Sequence, residues 1–372
     1  MIVNFDNAAT TFPKPVAVKK AVVSAMEQLT SPGRGGHPLG MKTSEMVYAA
    51  RETAADFFGA EPENVVFTLN CTLALNMAIK GIMKNGGHLI ISGMEHNSVA
   101  RPAAELAKSG EIKLSVAEIF PEKEKTVESF RRLIRNDTKA IVCTLASNVT
   151  GQIMPVKEIS ELCTLRNIAF IVDAAQAAGI IDVNLSQGMN IICTAGHKGL
   201  YGITGTGMLI SDGKFSISPI IQGGTGSGSH SLEQPILLPE ALESGTVGTV
   251  GIMSMKAGIE FIRKIGIKKI FTHEDRICRR FISELEKNPK VTIYRSDSAE
   301  YVPIVSFNIR GIPSERVASS LAKEGFCLRA GYHCAAMAHS ALGTDTGTVR
   351  FSPSVFSREE DTVKLAGIIN NL

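Results

Sequence analysis

Short apolar runs alternate with stretches of helical periodicity over the first two thirds of the chain. Apolar runs of roughly four to eight residues predict buried strands, whereas apolar positions repeated every three or four residues predict helices. The runs predict strands at 64–69, 88–92, 112–119 and 139–145, and three more between residues 169 and 209. Helices are predicted between them at 72–83, 98–108, 127–135 and 156–166. This alternation favours a mostly parallel sheet wound between helices, in which ligands bind at the carboxyl ends of the strands.

The first sixty residues depart from this alternation. Two prolines near the start predict an extended arm over residues 1–15. Helical periodicity follows at 15–30 and returns at 43–58. The glycines and prolines of 31–40 predict a loop between these two helices.

The pattern changes again in the last third of the chain. The glycine-rich segment 223–229 is either a mobile lid or a linker. A long helix at 248–264 then leads into a smaller region of mixed helices and strands. The last helix of that region is predicted to begin with Ser357 and Glu360 as a capping box.

The composition is that of an ordinary globular protein. The 372 residues are 44% hydrophobic and 20% charged, with a net charge of +3, so we expect roughly two domains. Scattered rather than clustered basic residues argue against nucleic-acid binding. Without a secretory signal or an apolar run of about 18 residues, we expect neither export nor a membrane span. The seven cysteines show no CxxC pair and no zinc spacing, so we expect no metal site and a reducing, cytoplasmic location.

The segment 169–209 carries the first candidate chemistry. Asp173 follows one apolar run and Gln176 comes three residues later, whereas His197 and Lys198 follow the next run. A lysine amine forms a Schiff base with an aldehyde, and a buried carboxylate keeps a pyridinium nitrogen protonated. These are the requirements of pyridoxal phosphate. The alternative is a solvated His-Lys turn beside an Asp that caps a helix.

Three further residues follow predicted strands. Thr72 opens a helix, where a hydroxyl can seat a phosphate or serve as an ordinary N-cap. His96 could stack on a flat cofactor or hydrogen-bond within a turn. Asn148 and Gln176 could both reach the phenolic oxygen of a pyridoxal ring.

Cys334 is the second candidate centre. It lies in LRAGYHCAAMAHS beside His333 and near Arg329, and neighbouring cations make an exposed thiol a better nucleophile. An inert thiol is the alternative. Arg350 follows on a strand, where it could bind a substrate carboxylate in a bidentate pair or form a surface ion pair.

Eight motifs, taken in order, resemble the cysteine desulfurase and selenocysteine lyase family of pyridoxal-phosphate enzymes with the class V aminotransferase fold. They are NFDNAATTFPKP, MEHNS, SNVTGQ, IVDAAQAAG, AGHKGLYG, ESGTVGT, RAGYHCA and TVRFSPS. The resemblance covers essentially the whole chain. It implies an α/β fold of type I, with a seven-stranded, mostly parallel sheet between helices and a smaller α+β domain at the C-terminal end. The expected divisions are an arm at 1–15 that packs with the small domain, a large domain at 16–250, and a small domain at 251–372 that carries the cysteine loop.

The resemblance also implies a role for each candidate residue. Lys198 would hold pyridoxal phosphate as a Schiff base, Asp173 would pair with the pyridine nitrogen, and His96 would stack on the ring. Cys334 would take sulfur or selenium from the substrate, leaving alanine and a persulfide. The remaining cofactor contacts are expected from Asn148, Gln176, Cys71, Thr72, His197 and, toward the partner's phosphate in a homodimer, Thr246. The substrate contacts are expected from Arg350, Asn148 and Ala8.

Some positions depart from the family pattern. Ala195 stands where relatives often have a phosphate-binding serine, and Cys71 where some have a threonine. The short spacing between Cys334 and Arg350 resembles the group with a structured cysteine loop and a separate protein sulfur acceptor.

The substrate implied by the resemblance is L-cysteine. Selenocysteine lyase is the nearest alternative, and a transaminase or another β-lyase is more distant, because a transaminase needs no such thiol. A nucleotide-binding or non-enzymatic α/β protein is disfavoured because the chain lacks both the phosphate-loop lysine signature and GxGxxG after the first strand.

Overall fold

A computed structural model describes residues 2–32, 36–226 and 230–372. The helices among these residues are α1 (Val16–Gln28), α2 (Pro38–Phe58), α3 (Cys71–Ile82), α4 (Asn97–Lys108), α5 (Lys123–Leu133), α6 (Val156–Arg166), α7 (Thr249–Ile265), α8 (Ile267–Leu285), α9 (Ser314–Lys323), α10 (Ala336–Leu342) and α11 (Glu359–Asn370). The strands are β1 (Val3–Asn4), β2 (Val65–Thr68), β3 (His88–Ser92), β4 (Lys113–Ala117), β5 (Thr138–Thr144), β6 (Ala169–Asp173), β7 (Ile191–Ala195), β8 (Gly207–Ser211), β9 (Val291–Ile293), β10 (Val305–Ile309), β11 (Phe326–Cys327), β12 (Arg329–Gly331) and β13 (Thr348–Phe351).

The predicted seven-stranded sheet is confirmed. Its strand order is β2-β8-β7-β6-β5-β3-β4, and β8 runs antiparallel to both of its neighbours while the other pairs are parallel. Strands β3, β6, β7 and β8 are buried along their whole length, which is why they read as continuous apolar runs. The edge strand β4 is partly exposed and begins with an exposed lysine, which disfavours pairing with another chain.

Two hydrophobic clusters cover the two faces of this sheet, and a third fills the C-terminal region. Helix α9 contacts the antiparallel sheet β12-β13-β10-β9 there, and helices α8 and α11 contribute residues to the same cluster. Phe281 stacks on Phe351 with their ring centroids 4.0 Å apart, and Phe5 packs against Phe351 at 4.5 Å. Phe5 belongs to the N-terminal arm, whose strand β1 pairs with β11. The domain boundaries near residues 15 and 250 stay a prediction.

Two predictions about helix starts are wrong. Helix α2 begins at Pro38 rather than near residue 43, because a proline is tolerated in the first helical turn and the His37 ring accepts a hydrogen bond from Gly40 N at 3.2 Å. Helix α11 begins at Glu359 without a capping box. The Ser357 hydroxyl instead accepts a hydrogen bond from Ser354 N at 3.0 Å.

The question of a lid at 223–229 falls partly outside the described residues, since these include 223–226 but not 227–229. Within the described ranges, no group of three or more His, Cys, Asp or Glu side chains is arranged to hold a metal ion. Among those same residues, no helix is both long and apolar enough to cross a membrane.

Candidate active site

A cavity of about 220 Å³ lies at the carboxyl ends of β5, β6 and β7, where parallel strands place their ligands. The small sheet and the N-terminal arm close its other sides. Eleven of the twelve predicted site residues line it, namely Ala8, Cys71, Thr72, His96, Asn148, Asp173, Gln176, His197, Lys198, Cys334 and Arg350. Their convergence from positions 8 to 350 brings both candidate centres, Lys198 and Cys334, into one site.

Thr246 is the exception. It lies in a separate cleft of about 490 Å³ that also contains Arg51 and Glu243. A single chain therefore does not bring Thr246 to the cavity that holds Lys198. Its predicted contact with a partner's phosphate stays a prediction.

Lys198 lies in the turn that follows β7, which ends at Ala195, and Asp173 ends the neighbouring strand β6. Burial lowers the pKa of the Lys198 amine, and the negative charge of Asp173 opposes part of that shift. A lysine with a lowered pKa is more often neutral and therefore more nucleophilic toward a carbonyl. The Asp173 carboxylate, 4% exposed, accepts hydrogen bonds from Ala175 N at 2.9 Å and from the Cys71 thiol at 3.5 Å. Asp173 is thus held in place as a negative charge beside the lysine, and it does not cap a helix.

The N-terminus of helix α3 forms another wall. The N-cap is Asn70, whose side chain accepts from Leu73 N at 2.8 Å, so the reading of Thr72 as an ordinary N-cap is wrong. The Thr72 hydroxyl lies 2.7 Å from the Ser98 hydroxyl, which in turn lies 2.7 Å from His96 Nδ1. Ser98 was not among the predicted site residues, although the MEHNS motif contains it.

The His96 side chain is held by its own helix. Its Nδ1 accepts from Ser98 N at 3.0 Å and caps α4, which fixes the ring at the edge of the cavity. Burial lowers the pKa of His96, and Asp173 partly opposes this. Burial likewise lowers the pKa of His197 to about 4, with the charge of Lys198 as a further cause. Both rings are therefore neutral near pH 7.

Several buried polar atoms on the cavity wall have no partner among the described residues. They are Asn148 Oδ1, His197 Nδ1 and Arg350 Nε. Buried polar groups are normally hydrogen-bonded, so unpaired ones that line a cavity indicate a polar ligand. A lysine amine, a carboxylate, a helix N-terminus and a half-buried imidazole in one cavity fit pyridoxal phosphate.

Cys334 lies on the loop between β12 and α10, with its side chain exposed. His333 and Cys334 both adopt positive φ angles, 49° and 57°, which non-glycine residues rarely adopt and which are concentrated at functional sites. The loop is held by Asn148 Nδ2, which donates to His333 O at 2.6 Å, and by Asn97 N, which donates to Cys334 O at 2.8 Å. The thiol is thereby presented on a defined backbone.

The cation beside this thiol is Arg329. Its Nη2 lies 3.9 Å from Cys334 Sγ. Burial lowers the pKa of His333 to about 2, helped by the positive charge of Arg350, and its Nε2 lies 3.1 Å from Thr348 O. His333 is therefore a neutral supporting residue, and the expectation that it adds positive charge at Cys334 is wrong.

Arg350 is buried, with 2% of its surface exposed, so the reading as a surface ion pair is wrong. Its Nη1 donates to Asn148 O at 2.8 Å and its Nη2 to Asp6 Oδ1 at 2.9 Å. Burial lowers the pKa of Arg350, and Asp6 opposes this shift. Asp6 was not among the predicted site residues, although it belongs to the NFDNAATTFPKP motif.

The same arm also holds the peptide that carries Lys198. Three donors converge on His197 O, namely Thr10 Oγ1 at 3.1 Å, Thr11 N at 3.1 Å and Lys14 Nζ at 2.8 Å. Thr11 Oγ1 donates to Lys198 O at 2.6 Å. Nearer the start of the arm, Ala8 O accepts a hydrogen bond from Gln176 Nε2 at 3.1 Å. We call residues 6–14 the clamp segment, because they contact both Arg350 and the Lys198 turn.

Comparison with known proteins places this site in context. The model of the family described as aminotransferase class-V matches residues 3–365. The chain is 30% identical to a probable cysteine desulfurase of Pyrococcus abyssi, across all of this chain and 94% of the relative. It is 29% identical to a probable cysteine desulfurase of Methanothermobacter thermautotrophicus, across 97% of this chain and 92% of the relative.

A solved structure supports the same assignment. The apo cysteine desulfurase of Thermococcus onnurineus superimposes with a TM-score of 0.93 at 29% identity, over 100% of this chain and 94% of that one. The family match and the full-length similarity agree with the motifs and with the sheet order. The chain therefore belongs to the class-V aminotransferase family.

Proposed function

We propose that the protein is a pyridoxal-phosphate-dependent cysteine desulfurase. It converts L-cysteine to L-alanine and takes the sulfur onto Cys334 as a persulfide for delivery to an acceptor. The observation that carries this proposal is the opening of the exposed Cys334 thiol into the cavity that also holds Lys198, Asp173 and Arg350. A transaminase would use the last three residues but would have no need of the thiol. The relatives described as cysteine desulfurases support the same reading.

The residues of the cavity suit the cofactor. Lys198 would hold pyridoxal phosphate through a Schiff base, and Asp173 would keep the pyridine nitrogen protonated. His96 would stack on the ring, Asn148 and Gln176 would face its phenolic oxygen, and Thr72, Cys71 and His197 would surround the phosphate. When bound, the cofactor supplies an electron sink that weakens the bonds to Cα of an amino acid.

The protein's own groups would then act in sequence. Arg350, with Asn148 and Ala8 beside it, binds the carboxylate of the amino acid. Lys198, once its amine is free, moves the proton at Cα. The Cys334 thiolate, with the Arg329 guanidinium beside it, attacks the sulfur of the substrate. The new S–S bond forms as the Cβ–S bond breaks, and Cβ keeps the electron pair and takes up a proton, which yields alanine.

The surroundings of the site suggest its partners. The exposed Cys334 suits transfer of sulfur to a separate acceptor protein. Thr246 would complete the phosphate site of a second subunit, which makes the active form a homodimer. The absence of disulfides among the seven cysteines, five of them buried, fits the reducing cytoplasm.

The test is an assay of alanine and sulfide formed from L-cysteine in the presence of a reductant. Wild-type protein should be yellow and should produce both. Cys334→Ala should stay yellow but produce no sulfide, whereas Lys198→Ala should lose the bound chromophore. Cys327→Ala is the matched control, because Cys327 is also exposed but lies outside the cavity. Equal loss of activity in the Cys327 and Cys334 variants would contradict the role of Cys334.

Other outcomes would point to the alternatives. Yellow protein that is inert toward L-cysteine but converts L-selenocysteine would be a selenocysteine lyase. Yellow protein that is inert toward both would point to another β-lyase or a transaminase. Protein that stays colourless after incubation with pyridoxal phosphate would overturn the role of Lys198.

A further inference from the structure

The contact between Arg350 and Asp6 uses part of the face that a substrate carboxylate needs. A guanidinium presents Nε and Nη2 along one edge, and these two donors match the two oxygens of a carboxylate. In Arg350 the Nη2 donates to Asp6 Oδ1 at 2.9 Å, while the buried Nε has no partner among the described residues. Asp6 therefore occupies half of this edge and leaves the other half unused.

The charges around Arg350 favour exchange of Asp6 for a substrate carboxylate over binding of both groups at once. Asp6 neutralises a guanidinium that is only 2% exposed. A second carboxylate on the same edge would place two negative groups against one cation, which is unfavourable in a buried site. Arg329, the cross-strand neighbour of Arg350 in the β12–β13 pair, also lines the cavity. The cavity therefore retains a positive charge that attracts an incoming anion.

Asp6 can also leave Arg350 without disturbing the arm. Its side chain is 25% exposed, so the carboxylate has a path to water. Its backbone is held separately, because Asp6 N donates to Asn4 Oδ1 at 3.2 Å and Asp6 O accepts from Ala9 N at 3.2 Å. A bridge to Ser352 fixes the same residue. A side-chain rotation is therefore enough to release the guanidinium.

We propose that Asp6 is an internal counter-ion that occupies Arg350 in the absence of substrate and is displaced by the carboxylate of the amino acid. The inference rests on the proposed function, to which it adds a determinant of substrate class. A ligand with a carboxylate replaces the charge of Asp6 at Arg350. An amine without a carboxylate leaves the Asp6 contact in place and gains nothing from Arg350.

Asp6→Asn tests the exchange, because asparagine keeps the shape and an acceptor oxygen but removes the charge. The probe is 3-mercaptopropionate, which has the carboxylate and thiol of cysteine but no amine to react with the cofactor. Its dissociation constant for the holoenzyme is measured by calorimetry. Without the competing charge of Asp6, Arg350 is free to bind a carboxylate in a larger fraction of the molecules. We therefore expect the dissociation constant of the probe to fall by about tenfold, which corresponds to the weaker end of the range for one charge-assisted hydrogen bond.

Controls separate charge from structure. Asp6→Glu keeps the carboxylate and should bind the probe as the wild type does, and so should Asp345→Asn, which alters an exposed aspartate outside the cavity. Asp6→Asn should also lower KM for L-cysteine with little change in kcat. Unchanged or weaker binding of the probe by Asp6→Asn would overturn the proposal, because it would make Asp6 a permanent orienting partner.

A second measurement applies even if Asp6→Asn folds poorly. A crystal structure of the wild-type holoenzyme with 3-mercaptopropionate should show the probe on Nε and Nη2 of Arg350 and Asp6 beyond hydrogen-bond distance. An intact contact between Asp6 and Arg350 in that complex would refute the exchange. Failure of the wild type to form alanine from cysteine would count against the proposed function, whereas normal alanine formation with an intact contact would count only against this inference.

Discussion

The ion pair between Arg51 and Glu243 anchors the segment that leads to Thr246, and it offers a quantitative test of the fold. Both side chains are nearly buried, at 8% and 9% exposure. Glu243 accepts from Arg51 Nη1 at 2.8 Å, from Arg51 Nη2 at 2.9 Å and from Phe67 N at 2.6 Å. Arg51 also lies 4.7 Å from the centre of the Phe67 ring. The pair thereby ties helix α2, strand β2 and the 243–247 segment together.

Glu243→Gln should be strongly destabilising. Glutamine keeps one acceptor oxygen, but it leaves the Arg51 charge buried without a counter-ion and turns an amide N–H toward a donor. Breaking a buried pair in this way costs about 3–5 kcal/mol. That is a large share of a total free energy of unfolding of about 5–15 kcal/mol.

Urea denaturation measures this cost. The protein concentration must be held constant, because association with a second copy would raise the apparent stability. The matched control is Asp56→Asn, which breaks the Arg263–Asp56 pair of 2.6 Å, whose side chains are 39% and 78% exposed. That change should cost no more than about 1 kcal/mol.

A paired variant sharpens the test. Arg51→Met in the Glu243→Gln background removes the stranded charge, so it should restore more than about 1 kcal/mol. If Glu243→Gln destabilised the protein no more than Asp56→Asn, or if Arg51→Met worsened it further, the reasoning about the buried pair would be refuted.

Three further predictions concern thiols, pH and packing. Under native conditions iodoacetamide should modify Cys334 and Cys327 before the other five cysteines, which are buried, and peptide mass spectrometry would contradict this if a buried thiol reacted equally fast. Burial raises the pKa of Glu95 from 4.5 to about 8, so the folded state holds a proton that the unfolded state releases, and stability should fall as pH rises from 4.5 to 8. Urea titrations at several pH values should show a smaller loss of stability with rising pH in Glu95→Gln than in the wild type. An identical pH dependence in the two proteins would count against this role of Glu95. Gly258→Ala should cost about 3 kcal/mol, because its Cβ would lie 1.9 Å from a backbone oxygen, whereas Gly367→Ala, where a Cβ meets open space, should be neutral or stabilising in the same assay.

The fold and the site could be predicted from the sequence where a clear hydrophobic pattern ends in residues with a recognisable chemistry. Strands β6 and β7 are continuous apolar runs because both of their faces are buried; Asp173 ends β6, and Lys198 comes shortly after β7. Since parallel strands end at one edge of a sheet, the order of these residues along the chain already places them in one cavity. The prediction that Cys334 shares a site with Lys198 depended instead on the family resemblance, because no local pattern relates residue 334 to residue 198.

The contacts that the sequence did not reveal are those made over long distances. Asp6 and Arg350 are 344 positions apart, and neither residue carries a local sign of the other. The neutral state of His333 depends on burial and on Arg350, which adjacency to Cys334 in the sequence does not show. The start of α2 at Pro38 was missed because the cap is a histidine, which is not among the usual N-cap residues.

The clamp segment also has a consequence for how the protein is made. Its partners are the Lys198 turn and the strand that contains Arg350, and Asn7 Nδ2 donates to Ser352 O across 345 positions. At a ribosomal rate of about 5–20 residues per second, the Lys198 turn emerges roughly 10–40 seconds after the clamp segment, and the strand that contains Arg350 roughly 20–70 seconds after it. During that interval the large sheet can form, but the clamp segment still lacks Arg350 and Ser352, its partners on the C-terminal strand. The ability to bind substrate should therefore appear as one of the last events of biosynthesis, after nearly the whole chain has left the ribosome.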